Sequence, residues 1–419
     1  MAGENTVTTL SGYFYEIYAP KLEDARPKAV KLQKDVAFDA DRKPGGTYHQ
    51  PVLLRYEQGF TYEASGVDAV TLDLAVAAES KDATILGTQQ ILRSRVGYEA
   101  AARAASDKQV FRRITETLVE NMWEASSKRL EINLFNGQRA LGKIASIAGS
   151  VLTITTAEWA PGNWSGMENA KIVASSSVAA ATTMRGTDTT NGDSMTITAV
   201  DLDARTVTVG TLTTGTVAGD FLWWKTSRTN TGFKEFLGLD GVANSSGSLF
   251  GIDNTSFSLW KPTSYAVGST SLTFQHVNKL LARAMSKGLD DDTILYINPS
   301  TWADLLANEV AVRRHNEGGR ANYKVGANGI EFYTQTGMVT IKASTYVKEG
   351  YGYLIDQKKY KRVGATDITF RIQSPASLNE FFLHDPSVTA YELRNYSNQA
   401  LFTKSAGRTA LLTGIVNAA

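Results

Sequence analysis

The sequence predicts an α+β chain with a small all-β unit inserted after one long helix. Three observations predict it. Apolar residues recur at helical spacing for about 30 residues after Ser106. From about Leu141 to Trp224, Thr, Ser, Gly, Val and Ala dominate, and the hydrophobic period drops to two. Beyond Phe233, helices and strands mix without βαβ order, which argues against a doubly wound sheet.

Composition narrows the function. At 419 residues the chain has room for several domains, and 42% hydrophobic with 20% charged residues marks a folded protein. A net charge of +1 gives no case for a dedicated nucleic-acid binder, which would show a basic stripe. Cysteine is absent, which removes disulfides and thiolate metal sites. His49, His276, His315 and His384 are too scattered for a local metal motif. The opening "MAGENTVTTLSGYF" has neither a basic n-region nor an apolar h-region, so no signal peptide is expected. No window approaches about eighteen apolar residues, so no membrane-spanning helix is expected.

The first element is an extended arm. "GGTYHQPVLLRYEQGFTYEASG", Gly45 to Gly66, is rich in β-formers, but its alternation is too broken for a strand with one buried face. Val52, Leu53 and Leu54 are followed at once by Arg55, Glu57 and Gln58. The arm is therefore expected to lack a partner in its own chain. The long helix follows. Ser106 and Gln109 suit a capping box; Phe111, Ile114, Leu118, Met122 and Ala125 form its apolar face; Asn136-Gly137 forms its stop. At 1.5 Å per residue such a helix is roughly 45 Å long.

The all-β unit shows internal similarity. "KIASIAGSVLTIT" (Lys143 to Thr155) and "TITAVDLDARTVTV" (Thr196 to Val209) each read as strand, polar turn and strand. Each is followed by a Gly and a further apolar strand, which predicts two related units closing one small barrel or sandwich. Trp223 and Trp224 are read either as a stacking platform for a base or sugar or as packing at a barrel end or interface; the second reading is favoured. Then come a helix from about Thr273 to Lys287, the buried strand "DDTILYINP", and a short helix capped by Ser300 or Thr301. The late strands are "IEFYTQ", "MVTIKAS", "YGYLIDQKKY", "ITFRIQ" and "TAYELRNY".

Signals for chemistry are weak. No P-loop, nucleophile elbow or H-E-x-x-H motif occurs. Asp290, Asp291 and Asp292 lack the ligand spacing of a calcium loop and read as a solvated turn. The Gly-rich loop holding Arg313, Arg314, His315, Arg320 and Lys324 is a weak candidate for phosphate contact, diluted by Glu317. Sequons at Asn163, Asn244, Asn254 and Asn395 carry meaning only in a secreted chain. No catalytic residue, cofactor or metal site is expected.

Taken in order, the parts resemble the major capsid protein of tailed bacteriophages, whose fold is shared with herpesvirus shells and encapsulin nanocompartments. "PVLLRYEQGFTYE" and "ATILGTQQILRSRVGYEAAARA" resemble the two arms of that family's extension loop. "SDKQVFRRITETLVENMWEASSKRLEINLFNGQRALGKI" resembles its spine helix and exit, with Glu131, Leu134 to Gln138 and Gly142. "LGLDGVANSSGSLFGID", "DDTILYINPSTWADLLANE" and "YELRNYSNQALFTKSAGRTALLTGI" resemble its axial domain and C-terminal end. The similarity of plan covers nearly the whole chain, and its specificity lies in the ordered set.

The resemblance implies an N-terminal arm (1–40), an extension loop (41–97), a peripheral-domain spine helix (98–138), an inserted β-barrel (139–230) and an axial domain (231–350). Peripheral strands (351–395) and a C-terminal axial segment (396–419) complete it. It implies a non-enzymatic shell subunit that self-assembles as hexamers and pentamers into an icosahedral virion capsid. That capsid forms in the host bacterial cytoplasm and encloses double-stranded DNA held by weak, non-specific contact. Portal and scaffolding or decoration proteins are the implied partners, with no membrane. No scaffolding segment is expected in front of the loop. Inter-subunit contact is expected through Val52, Leu53, Leu54, Arg55, Tyr56, Glu57, Phe60, Tyr62 and Arg93. Phe111, Ile114, Leu118 and Met122 are expected as spine-helix core. The competing readings are an encapsulin-like nanocompartment shell and a secreted β-rich adhesin.

Overall fold

A computed structural model describes residues 30–39, 47–66, 69–98, 108–307, 330–334, 337–370, 383–384 and 389–417. Most of the N-terminal arm, the Ser106 cap and the loop from Arg313 to Lys324 lie outside the described residues, as do the side chains of Phe111 and Ile114.

The arm begins as a two-stranded antiparallel ribbon. Thr47–Leu53 pairs with Ser80–Leu86, in register from Thr47 opposite Leu86 to Leu53 opposite Ser80. Pro51, which has no N–H to donate, sits in this ribbon, which pairs with no further strand among the described residues. Past the ribbon the two limbs run on to a bridge between Gln58 and Val76. Thr88–Gly97 then leaves the arm and pairs antiparallel with Ala390–Thr403 over ten positions. Tyr360–Thr369 and Leu383–His384 complete that four-stranded sheet.

The spine helix spans Lys108–Asn136 and stops at the expected Asn-Gly. Its end is set by backbone contact. A Cβ on Gly137 would lie 2.4 Å from the Phe236 carbonyl, and one on Gly238 would lie 2.5 Å from the Gly137 nitrogen. The Gly238 N–H donates to the Gly137 carbonyl at 2.9 Å. Only glycines allow this approach, and it closes the neck through which the chain enters and leaves the inserted unit.

That unit is a closed six-stranded barrel. In chain order its strands are Gly142–Ala148, Val151–Ile154, Lys171–Ser175, Met195–Asp201, Thr206–Val209 and Phe221–Trp224. The repeat in the sequence is a repeat in space. The two hairpins bury the same alternate positions, and each has one register shift, after Ile144 in the first and after Ile197 in the second. The units exchange partners reciprocally. Gly142 faces Leu222 while Met195 faces Ile172, and Lys143 faces Phe221 while Thr196 faces Lys171. Neither three-stranded unit has a free edge in the closed ring, which removes the liability of an open sheet.

The remaining sheet has six strands in the order Thr263–Thr270, Ala410–Ile415, Tyr351–Ile355, Thr293–Ile297, Gly337–Ala343 and Ile330–Thr334. Two of its pairings are parallel and three antiparallel. Tyr351–Ile355, expected with the peripheral strands, therefore belongs to this sheet. The helix Phe274–Met285 covers it with Val277, Leu280, Leu281 and Ala284. The following helix, Pro299–Ala307, is capped by Asn298 and not by Ser300 or Thr301. The Asn298 Oδ1 accepts the Ser300 N–H at 3.0 Å, and Pro299 takes the first helical position, where a missing N–H costs nothing.

Candidate functional site

The arm divides into a seated base and an exposed end. At the base, Tyr48, Leu54, Ala83 and Ile85 are buried in the main core, and the Tyr48 ring meets Phe402 edge-on at 5.3 Å. Val52 is half-buried against the same core. Leu54, only 4% exposed, is thus packed inside its own subunit, which corrects its reading as an inter-subunit contact. The expectation that the arm finds no partner in its own chain fails at this end for a physical reason. The ribbon lies on the Phe402 strand and buries one stripe there.

Further out the chain changes character. Leu53, Tyr56, Phe60, Tyr62, Leu72 and Leu74 are all exposed, Tyr62 to 87% and Leu74 to 85%. Phe60 and Tyr62 lie 6.5 Å apart, ring to ring. Glu57 is exposed beside them. Arg55 is committed within its chain, pairing with Glu79 at 3.0 Å and lying 5.2 Å from the Phe257 ring centre. Arg93 likewise meets Glu392 across the β-ladder at 3.2 Å. Both arginines thus have ion-pair partners inside the subunit, while each side chain stays more than half exposed.

A cleft is bounded by the spine helix, the strand Thr88–Gly97, the chain near Gln33 and the barrel exit at Trp224 to Ser227. Gln33 Oε1, Gln90 Oε1, Ser126 Oγ, Arg129 Nη1 and Ser227 Oγ are buried here without a hydrogen-bond partner among the described residues. The lining is cationic: Lys34, Lys128, Arg129, Lys225, Lys234 and Arg362 stand against Glu124 and Glu235.

Within the spine helix, Met122 is buried and Leu118 only half-buried, so the buried face strengthens toward the C-terminal half. Leu130, Ile132, Leu134 and Phe135 are almost wholly buried. Between them sits Glu131, itself fully buried. Its carboxylate accepts the backbone N–H groups of Lys31, Leu32 and Gln33 at 2.9, 2.7 and 2.8 Å, at the start of the short helix Leu32–Asp35. Burial pushes this carboxyl up to about 7, against the pull of the three donors. Sequence reasoning missed its role, and the one available signal was a charged residue between apolar neighbours in "RLEINLFN".

At the barrel neck, the Arg129 guanidinium stacks 3.7 Å from the Trp224 ring centre, and Trp224 packs on Trp164, which stacks on Trp159. Trp223 is buried and its indole N–H donates to Ser175 Oγ at 2.8 Å. Neither tryptophan presents a face to a ligand, so the packing reading is the correct one. Glu235 accepts the Gln138 N–H at 2.9 Å. Desolvation pushes its carboxyl up to about 8 despite Gln138, Arg129 and Arg228, while burial draws Arg129 down to about 10. Of the aspartate triplet, Asp291 pairs with Lys358 at 3.0 Å and with Arg408 at 3.4 Å, and Asp292 accepts the Met338 N–H. Among the described residues no group of acids and histidines has the geometry of a metal site. No described helix is long and apolar enough to cross a membrane.

No family model matches the sequence, and no curated protein matches it. Solved structures match over the full length. The capsid of the cyanophage P-SCSP1u is 11% identical, with 100% of this chain and 97% of that one covered and a TM-score of 0.51. A chain of the cyanophage A-1(L) capsid asymmetric unit is 11% identical over 98% and 99% of the two chains, with a TM-score of 0.56. The capsid of the Myoviridae phage XM1 is 10% identical over 99% and 100%, with a TM-score of 0.50. At such identities the likeness is one of backbone plan, and by that plan the chain has the phage major-capsid fold from end to end.

Proposed function

We propose that this chain is a structural shell subunit that assembles as hexamers and pentamers into the icosahedral head of a tailed bacteriophage, around double-stranded DNA. The carrying observation is the arm: an extended limb with Tyr56, Phe60, Tyr62, Leu72 and Leu74 in water, on a chain that shares its whole plan with capsid subunits. An exposed apolar ribbon is a liability in a monomer and an asset where a neighbour covers it. A head-to-tail contact of this kind closes into rings. The cationic cleft suits the end of a second copy's arm, which carries Glu57, Glu63 and Asp73. Its unpartnered polar atoms would pair with that arm's backbone. A net charge near zero fits a shell that lets packaged DNA move, through few phosphate contacts. Portal and scaffolding or decoration proteins are the partners of such a head, and its place is the virion. Negative-stain electron microscopy of the purified chain tests the reading. Closed icosahedral particles are expected, and a chain that stays monomeric at every concentration and salt would refute it.

A further inference from the structure

Where the barrel meets the six-stranded sheet, three chain segments bring one amine and two carboxylates together out of water. Lys348 lies in the turn before Tyr351–Ile355, Glu158 closes the turn Thr156–Glu158, and Asp240 lies in the helix Leu239–Ala243. Lys348 is 2% exposed and Asp240 4%. The Lys348 Nζ stands 2.7 Å from Glu158 Oε2 and 3.7 Å from Asp240 Oδ2. The carboxylates differ in how they are held. Glu158 has a partner on each oxygen, Lys348 on one and the Tyr351 hydroxyl at 2.8 Å on the other. Asp240 Oδ1 is buried without a hydrogen-bond partner among the described residues. Trp159, Tyr346 and Tyr353 are buried around this turn, and burial together with Asp240 pushes the Tyr353 hydroxyl well up.

We propose that Lys348 and Asp240 are joined by an intrachain isopeptide bond whose formation Glu158 promotes. In this arrangement the Lys348 ammonium passes one proton to the Asp240 carboxylate beside it, and the freed amine attacks Cγ of that carboxyl. Glu158 takes a second proton from the nitrogen of the adduct and delivers it to the departing hydroxyl, which leaves as water. One C–N bond forms and one C–O bond breaks. An ammonium and a carboxylate become a neutral amide and one water, and Glu158 ends as it began. No oxidant or cofactor is needed. The direction of change follows from burial. Two charges held in a dry site are costly, and a neutral amide removes both. Expulsion of water from the site favours condensation, and fixed reactants raise the effective concentration of the amine. Asp240 is the acceptor because its unpartnered oxygen gains from neutralisation, whereas the Glu158 carboxylate is satisfied as an anion. Burial lifts the Glu158 carboxyl, but Lys348 and Tyr351 outweigh burial and hold it below its ordinary range.

The test is the mass of the full-length purified chain, followed by peptide mapping. The chain is expected to be one water lighter than its sequence, with the Lys348 peptide covalently joined to the Asp240 peptide. Glu158→Gln, which keeps both reacting groups, is expected to retain the full mass. A wild-type chain of full mass after prolonged incubation, with the two peptides separate, would overturn the proposal. So would a loss of water confined to Asp240-Gly241 as a ring imide, or a link from Lys348 to Glu158. The wild-type result alone decides, even if a variant fails to fold.

Discussion

Glu131 shows best how one residue organises this molecule. Three backbone N–H groups at the start of a helix would lose a charged acceptor if it were removed, and burial leaves water a poor substitute. Glu131→Ala is expected to cost about 3 kcal/mol, and Glu131→Gln, which keeps one acceptor oxygen, roughly half of that. A thermal melt of each variant checks the order. Glu235 makes a prediction about pH. Its folded value of about 8 lies above its ordinary 4.5, so the folded state holds a proton that the unfolded state releases. That stability is complete below about 4.5 and is lost as pH rises through about 8. Melting temperatures measured at about pH 5 and about pH 9 should fall more for the wild type than for Glu235→Gln, which mimics the protonated form. Equal falls would show that the desolvation of this carboxyl has been misread. Neither residue was legible in sequence, because a Glu in a helix or a surface loop is ordinarily a solvated one, and only the non-local packing of residues 31–33 and 138 gives these two their partners.

At the scale of elements, local pattern was a good guide where contacts are local. The repeated hairpins were legible because alternation and a polar turn specify a hairpin within a few residues. The closure of the ring was not, since the pairing of Gly142 with Leu222 joins positions far apart in sequence. The placement of Tyr351–Ile355 was lost for the same reason: its neighbours are Thr293–Ile297 and Ala410–Ile415, and nothing in its own composition names them. The cap at Asn298 was within reach of sequence, as Asn-Pro at a helix start is a stronger signal than Ser one position later. The barrel makes a prediction of its own. Because its strands close on one another and Trp159, Trp164 and Trp224 pack within it, a fragment covering residues 139–230 is expected to fold alone. Circular dichroism with a cooperative melt checks this, and a disordered fragment would mean that the spine helix, through Arg129, is needed to complete its core.

For the whole molecule, the arm is where fold and function meet. The sequence already showed a limb too long and too apolar to stand alone, reaching about 45–50 Å at roughly 3.3 Å per residue. It did not show where the limb stops belonging to its own subunit. In the structure, burial of this limb in the subunit's own core ends at Leu54, so a useful deletion spares the base, with Tyr48, Leu54, Ala83 and Ile85, and also the strand Thr88–Gly97. Replacing Tyr56 to Val76 by a short Gly/Ser link removes the exposed end alone. Electron microscopy of the wild-type and trimmed chains side by side, each with its thermal melt, tests the central claim. The account predicts closed shells from the wild type, and from the trimmed chain a subunit that melts at nearly the same temperature yet forms none. Trimmed chains that build shells of normal size would contradict it.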